Sequence, residues 1–209
     1  MATRMLKTWL AMLIFITMLG SNQCALADNP KDPYEPFNRA MFRFNDFVDW
    51  LILKPVATLY NQIVPKPLAA GLSNAYSNLD NIPTIINDIL QGNFYQATSD
   101  LWRFGINSTI GILGLFDVAQ RMGLEPNYED FGLTLAKWGY KNSNYLVLPV
   151  MGPSTVRDAI GYPITYYGMS IYPYIRPTST QYAIYFGGVV VRRADILRYE
   201  GVLKQLAFD

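Results

Sequence analysis

The 209-residue chain contains no histidine and a single cysteine, Cys24. Without an imidazole or a second thiol, Ser-His-Asp and Cys-His catalysis are excluded, and the usual zinc ligands are missing. Carboxylates are the remaining candidates for chemistry. Glu125, Glu129 and Asp130 gather in one connector, and two carboxylates are the minimum for glycoside hydrolysis. Acids also gather at helix starts, where they cap orphan N–H groups and meet the positive end of the macrodipole, and that reading is preferred. Asp80, Asp88 and Asp100 lack the alternating spacing of a calcium loop. No GxxxxGK phosphate loop is present. These residues point to no enzyme, no metal and no cofactor.

More informative are polar residues embedded in apolar helices. In DPYEPFNRAMFRFNDFVDWL (32–51), a rotation of about 100° per residue puts Phe37, Met41, Phe44, Val48, Leu51 and Ile52 on one face. Phe42, Phe47, Trp50 and Leu53 nevertheless point elsewhere. Asn38, Asn45 and Asp49 form a narrow polar line, and Arg39, Arg43 and Asp46 a second one, in which Arg43 and Asp46 could pair. Such lines are either ordinary solvent-facing positions or the hydrated side of a helix whose remaining surface meets lipid.

The elements that must carry these residues are nearly all helical. A first helix is expected from Asp32–Pro36, with Asp32 as cap and Glu35 completing a capping box, ending or bending at Pro55. A second should follow Pro65-Lys66-Pro67 and a third run from Pro83 to Gln91, closed by Gly92. Asn93 should cap a fourth, which runs into GILGLFD (111–117). After the connector RMGLEPNYED come a short helix over Phe131–Trp138, an extended stretch over Tyr145–Val150, and a helix starting at Pro153-Ser154-Thr155. The tyrosine- and proline-rich segment 162–177 reads as an irregular interfacial loop. Residues 180–208 read as a helix with a break at Gly187-Gly188 or Gly201.

The N-terminus is read separately. Arg4 and Lys7 precede an uncharged run, Trp9–Leu19, and Ala25-Leu26-Ala27 matches a leader-cleavage pattern, so cleavage is expected between Ala27 and Asp28. Export by a signal peptide (1–27) and a single helical domain over 28–209 follow. Gln23 and Ser21 make a poor lipid-attachment context for Cys24, so the mature chain is expected to be non-lipidated. Removing Arg4 and Lys7 from 17 basic residues leaves 15 against 16 acidic ones, a net charge of −1. That balance provides no basic field for nucleic acid. Charged residues make up 16% of the chain, against about 25% for typical soluble domains. The 15 tyrosines all fall beyond residue 27, and amphipathic aromatics at this density suit a water–lipid boundary. No segment of the mature chain is long enough in uninterrupted apolar residues to be a transmembrane helix.

DPYEPFNRAMFRFND resembles the opening signature of the MlaA/VacJ family of outer-membrane lipid-asymmetry proteins. The similarity continues through LSNAYSNLDNIPTIINDILQGN, RFGINSTIGILGLFDVA, DFGLTLAKWG, YLVLPVMGPSTVRDAIG and RADILRYEGVLKQ, covering nearly all of residues 32–206 in the family's order. The resemblance implies a mainly α fold, a ring-shaped bundle of amphipathic helices lying in the inner leaflet of the outer membrane and facing the periplasm. It implies an amphipathic pore that takes mislocalised phospholipids from the outer leaflet and hands them to a soluble periplasmic lipid carrier, beside a trimeric outer-membrane porin. The family's helix–loop–helix near the pore corresponds to about Gly111–Gly139, with Gly111 and Gly114 as hinge candidates and Asp117 and Asp130 at the hydrated edge. GPSTVRD would supply Ser154 as a helix cap, with Arg157 and Asp158 for ion pairing or headgroup contact. With Asn38, Arg39, Asn45 and Asp49, these are the pore or rim candidates. Relatives usually continue past the equivalent of Asp209, so a shortened C-terminal tail is expected. The alternative is a soluble periplasmic helical protein with an internal apolar pocket; fractionation separates the two, since a soluble protein leaves with the periplasm and the ring stays with the outer membrane.

Overall fold

The computed structural model describes residues 32–207, with side chains described through Glu200. The expected leader, its Ala27–Asp28 cleavage site, Cys24 and the end of the tail lie outside the described residues.

Helix α1 (Glu35–Val48) does not stop near Pro55. It passes through a π-helical turn (Asp49–Leu53) directly into α2 (Lys54–Ile63). The wider turn changes the hydrogen-bond register just before the proline, so the missing Pro55 N–H falls where the α-ladder is already interrupted. Asp32 does organise the entry, accepting from the Tyr34 N–H at 3.2 Å, but Glu35 turns to Arg39 rather than closing a capping box.

The expected second and third helices are one, α3 (Lys66–Leu90), which runs unbroken through a buried Pro83. Side chains stand in around the proline: the Thr84 hydroxyl donates to the Asp80 carbonyl at 3.1 Å and the Asn87 amide to the Pro83 carbonyl at 2.8 Å. Gly92, at φ 75°, terminates the turn after it. Asn93 then caps α4 (Phe94–Thr109) as expected, its side chain accepting from the Gln96 N–H. Short helices α5 (Val118–Arg121) and α6 (Phe131–Lys137) flank the 122–130 connector.

Strands β1 (Tyr145–Leu148) and β2 (Gly152–Thr155) form an antiparallel hairpin, with Leu148 paired to Gly152. Ser154 therefore sits in a strand. The cap of α7 (Val156–Ile164) is Thr155, whose hydroxyl accepts from the Asp158 N–H at 3.2 Å. The tyrosine-rich segment is irregular, as expected: a π-turn (Thr165–Met169), then a 3-10 turn (Tyr172–Tyr174). Helix α8 (Thr178–Ala207) continues straight through Gly187-Gly188. Those glycines serve packing. Tyr76 of α3 lies across them, its hydroxyl donating to the Ile184 carbonyl at 2.9 Å, and a Cβ on Gly188 would come within 3.0 Å of the ring.

The element contacts close a circuit. The α1–α2 rod meets α8, α8 meets α3, α3 meets α6, α6 meets α7, α7 meets the hairpin, and the hairpin returns to α1. The chain is a mainly helical bundle of amphipathic elements, and no described helix is long and apolar enough to cross a membrane.

Candidate functional site

Burial in this bundle runs opposite to that of an ordinary water-soluble core. Among the least exposed residues are Asn38, Asn78, Asn81, Thr84, Asn87, Asp88, Asp100, Arg103, Asn107 and Thr134, while the buried apolar set is dominated by alanines. Outside stand Trp50 at 66%, Tyr95 at 87%, Trp102 at 64% and Leu113 at 76% exposure. One helix shows both faces: α4 turns Asp100, Arg103 and Asn107 (i, i+3, i+7) inward and Tyr95, Leu101, Trp102 and Ile110 outward. An exposed apolar surface this extensive suits lipid or a protein partner.

The inward polar faces of α3 and α4, closed by the connector, enclose a cavity of about 440 Å³. Asn74, Asn78 and Asn81 (i, i+4, i+7) supply the α3 wall, Arg103 and Asn107 the α4 wall, and Asp117, Asn127 and Tyr128 the connecting segments. Asp117 anchors one side. It accepts from Arg103 (3.0 Å), the Asn107 amide (3.0 Å) and the Gln120 N–H (3.0 Å). Burial pushes its carboxyl up, but those three bonds outweigh burial and hold it below the usual carboxylate range. Arg103 also donates to the Leu124 carbonyl, so it locks the connector to α4. GILGLFD makes this possible by folding into a tight turn, with Ile112, Leu113 and Gly114 all at positive φ. A Cβ on Gly111 would lie 2.3 Å from the Phe116 carbonyl oxygen, and one on Gly114 2.6 Å from the Asn78 Cβ. Both hinge candidates are thus positions of close approach.

Behind the cavity lies a pair of fully buried carboxylates, Asp88 and Asp100. The Asn127 amide bridges them, 3.3 Å from an oxygen of each. Asn93 donates to Asp88 (3.4 Å) and Gln96 to Asp100 (3.1 Å), whereas the other oxygen of Asp100 has no partner. Burial first, then the adjoining Asp100 and the charge of Glu129, push the Asp88 carboxyl up to about 7. Among the described residues no three carboxylate, cysteine or histidine groups are placed to hold a metal ion.

Of the sequence candidates, Asp117 lines the cavity, whereas Asp130 is not part of its lining and caps α6 by accepting from the Leu133 N–H at 2.8 Å. Asn38 and Asn45 are elsewhere, pinning the hairpin to α1. Asn38 donates to the Tyr145 carbonyl (3.2 Å) and accepts from the Val147 N–H (2.8 Å); Asn45 does the same with Leu148 (2.8 Å) and Val150 (2.7 Å). Asp49 makes a two-pronged pair with Arg193 of α8 at 2.6 and 2.7 Å, and those bonds lower its carboxyl pKa. Arg39 is exposed and pairs with Glu35, and among the described residues Arg43 makes no pair with Asp46. Arg157 pairs with its neighbour Asp158 at 2.9 Å, where a Cβ on Gly132 would strike the Asp158 carboxylate; the two sit at the α6–α7 crossing. The asparagine wall of α3 and the Asp88–Asp100 pair escaped the sequence reading. Their signal is polar spacing: Asn74, Asn78, Asn81 and Asp88 repeat at helical intervals, the pattern normally made by core residues.

The family model for the MlaA lipoprotein matches residues 30–209. The chain belongs to the MlaA family. A Haemophilus influenzae relative, named as the intermembrane phospholipid transport system lipoprotein MlaA, is 31% identical over 98% of this chain and 84% of its own length. The Escherichia coli protein of the same name is 38% identical over 61% of this chain and 52% of its own. An uncharacterized Rickettsia conorii protein is 43% identical over 72% of this chain and 60% of its own. The chain thus spans about half to three fifths of the length of several curated relatives it matches. A solved MlaA-family structure, described as the structural basis for maintenance of bacterial outer membrane lipid asymmetry, superimposes with a TM-score of 0.64 at 35% identity, covering 83% of this chain and 88% of that one.

Proposed function

We propose that this MlaA-family chain moves phospholipids at the outer membrane without covalent chemistry, contributing to lipid asymmetry. The observation that carries the reading is the inverted bundle: a polar cavity walled by α3 and α4 inside a surface of exposed Trp50, Tyr95, Trp102 and Leu113. A phospholipid needs both environments at once, a wet path for its headgroup and an apolar flank for its tails. The names of its relatives support the same reading. In this reading the helices lie in the inner leaflet facing the periplasm. Lipid from the outer leaflet enters the cavity and passes to a soluble periplasmic carrier, with a trimeric porin as the neighbouring membrane partner. Purification in mild detergent tests it. Phospholipid and a trimeric porin are expected to accompany the protein; a detergent-independent monomer devoid of lipid would sink the proposal and favour a soluble periplasmic binding protein.

A further inference from the structure

The five asparagines lining the cavity all turn their NH₂ groups into the protein. Asn74 donates to the Leu115 carbonyl (3.4 Å), Asn78 to the Ser108 hydroxyl (2.9 Å), Asn81 to the Asp100 carbonyl (3.0 Å) and Asn107 to Asp117 (3.0 Å). Asn127 donates to Asp88 and Asp100. For all but Asn78 the partner is a carbonyl or carboxylate, which only accepts, so chemistry fixes which end of the amide points away. Asn107 uses its oxygen on the Ala119 N–H at 3.0 Å. Among the described residues, the side-chain oxygens of Asn74, Asn81 and Asn127 receive no hydrogen bond, and that of Asn78 is buried without a partner. Asp80 adds a carboxylate to the same lining, paired with Arg192 of α8. Arg103, the one cation of that lining, is already committed to Asp117 and the Leu124 carbonyl.

The asparagine side of the wall therefore presents acceptors, and the cations beside it, Arg103 and Arg192, are already paired. A phosphate would bring only more acceptors and negative charge to it, leaving buried groups unpaired. A primary ammonium brings three N–H donors and a positive charge. We infer that the cavity recognises a phospholipid headgroup through its hydrogen-bond donors, a primary ammonium above all, with the phosphate held outside the asparagine wall. The inference rests on the phospholipid reading above and adds selectivity to it.

A methylation series isolates the donors, because each N-methyl removes one N–H while the charge and acyl chains stay the same. Purified full-length protein in mild detergent is exposed to equal amounts of dioleoyl phosphatidylethanolamine, its N-methyl and N,N-dimethyl forms and phosphatidylcholine, and retained lipid is measured by native mass spectrometry. Retention is expected to fall at each step, with the choline lipid at least tenfold below the ethanolamine lipid. Phosphatidylglycerol, whose hydroxyls donate without a positive charge, should fall between them. Asn74→Ala should narrow the ethanolamine-to-choline ratio several-fold; if that variant does not fold, the wild-type series decides alone. Equal retention across the series, or glycerol above ethanolamine, overturns the ammonium assignment and leaves phospholipid handling intact. Retention of no phospholipid at all overturns both.

Discussion

Asp88→Asn should stabilise the protein at neutral and alkaline pH, because it makes permanent the neutral form that the fold prefers at this position. The Asp88 carboxyl is raised from 3.8 to about 7 by burial and by Asp100 beside it. For an acid whose pKa is raised on folding, the native state binds the extra proton between the two values. Stability is therefore greatest at and below the unfolded value and declines as pH rises from about 4 to about 7. About three pKa units at 1.36 kcal/mol each give a loss on the order of 4 kcal/mol across that window. Asparagine is nearly isosteric with the protonated acid and carries no charge to bury. At pH 4 the two proteins should differ by less than about 1 kcal/mol; at pH 8 the variant should unfold on the order of 10 °C higher, given the few degrees per kcal/mol typical of a chain this size. Thermal unfolding followed by circular dichroism in mild detergent, from pH 4 to 9, provides the curves. Asp49 and Asp117, whose pKa values are lowered, act in the opposite sense and only as pH falls below about 4, so the windows separate. A wild-type curve flat from pH 5 to 8, or a variant that loses stability as steeply as wild type, would refute the account of the pair.

Three further outcomes are expected. Asn38→Leu leaves the buried Val147 N–H and the Tyr145 carbonyl without partners, which should cost about 2–4 kcal/mol in thermal unfolding, with Asn45→Leu costing less because Val150 is exposed and water can replace the lost bond. For both variants lipid retention should fall in step with stability, since these amides hold the hairpin; intact folding with lost retention would contradict that placement. Gly188→Val should destabilise by about 1–3 kcal/mol through contact with the Tyr76 ring, and Tyr76→Ala should relieve part of it in a double-mutant cycle. Arg193→Met removes the partner that lowers the Asp49 pKa, so the stability Asp49 contributes above its unfolded value, normally lost as pH falls through the folded value, should disappear. The acid limb of the unfolding curve should flatten; an unchanged limb would mean that the pair contributes nothing.

Helix identity was legible because apolar periodicity and capping residues such as Asn93 act within one turn. Helix interruption was not, since prolines and glycines were read as breaks when tertiary contacts override them. Pro55 is absorbed by a π-turn, Pro83 by Thr84 and Asn87, and Gly187-Gly188 by Tyr76 from another helix. The cap displaced from Ser154 to Thr155 has the same origin, for pairing with β1 keeps Ser154 extended. At the site, Asp117 was found from its motif. Asn74, Asn78 and Asn81 were missed because asparagines on a helix are ordinarily read as facing water. In a bundle whose exterior is apolar, that assignment inverts. Helical periodicity in DPYEPFNRAMFRFND singled out Asn38 and Asn45 as pore or rim candidates, but their partners lie more than a hundred residues away, at 145–150, where no local pattern reveals them.

The circuit of contacts also sets an order of events. Its closing bonds join residues that emerge far apart during synthesis: Asn38 waits for Val147, and Asp49 waits for Arg193, 144 positions later. The last of these clasps cannot form until most of the chain exists, while Trp50, Trp102 and their apolar neighbours are present from early on. A growing chain must therefore carry its exposed apolar surface in an open form, adhesive to itself and to other chains, until α8 arrives. The bundle closes late, like a bracelet fastened around its own polar interior.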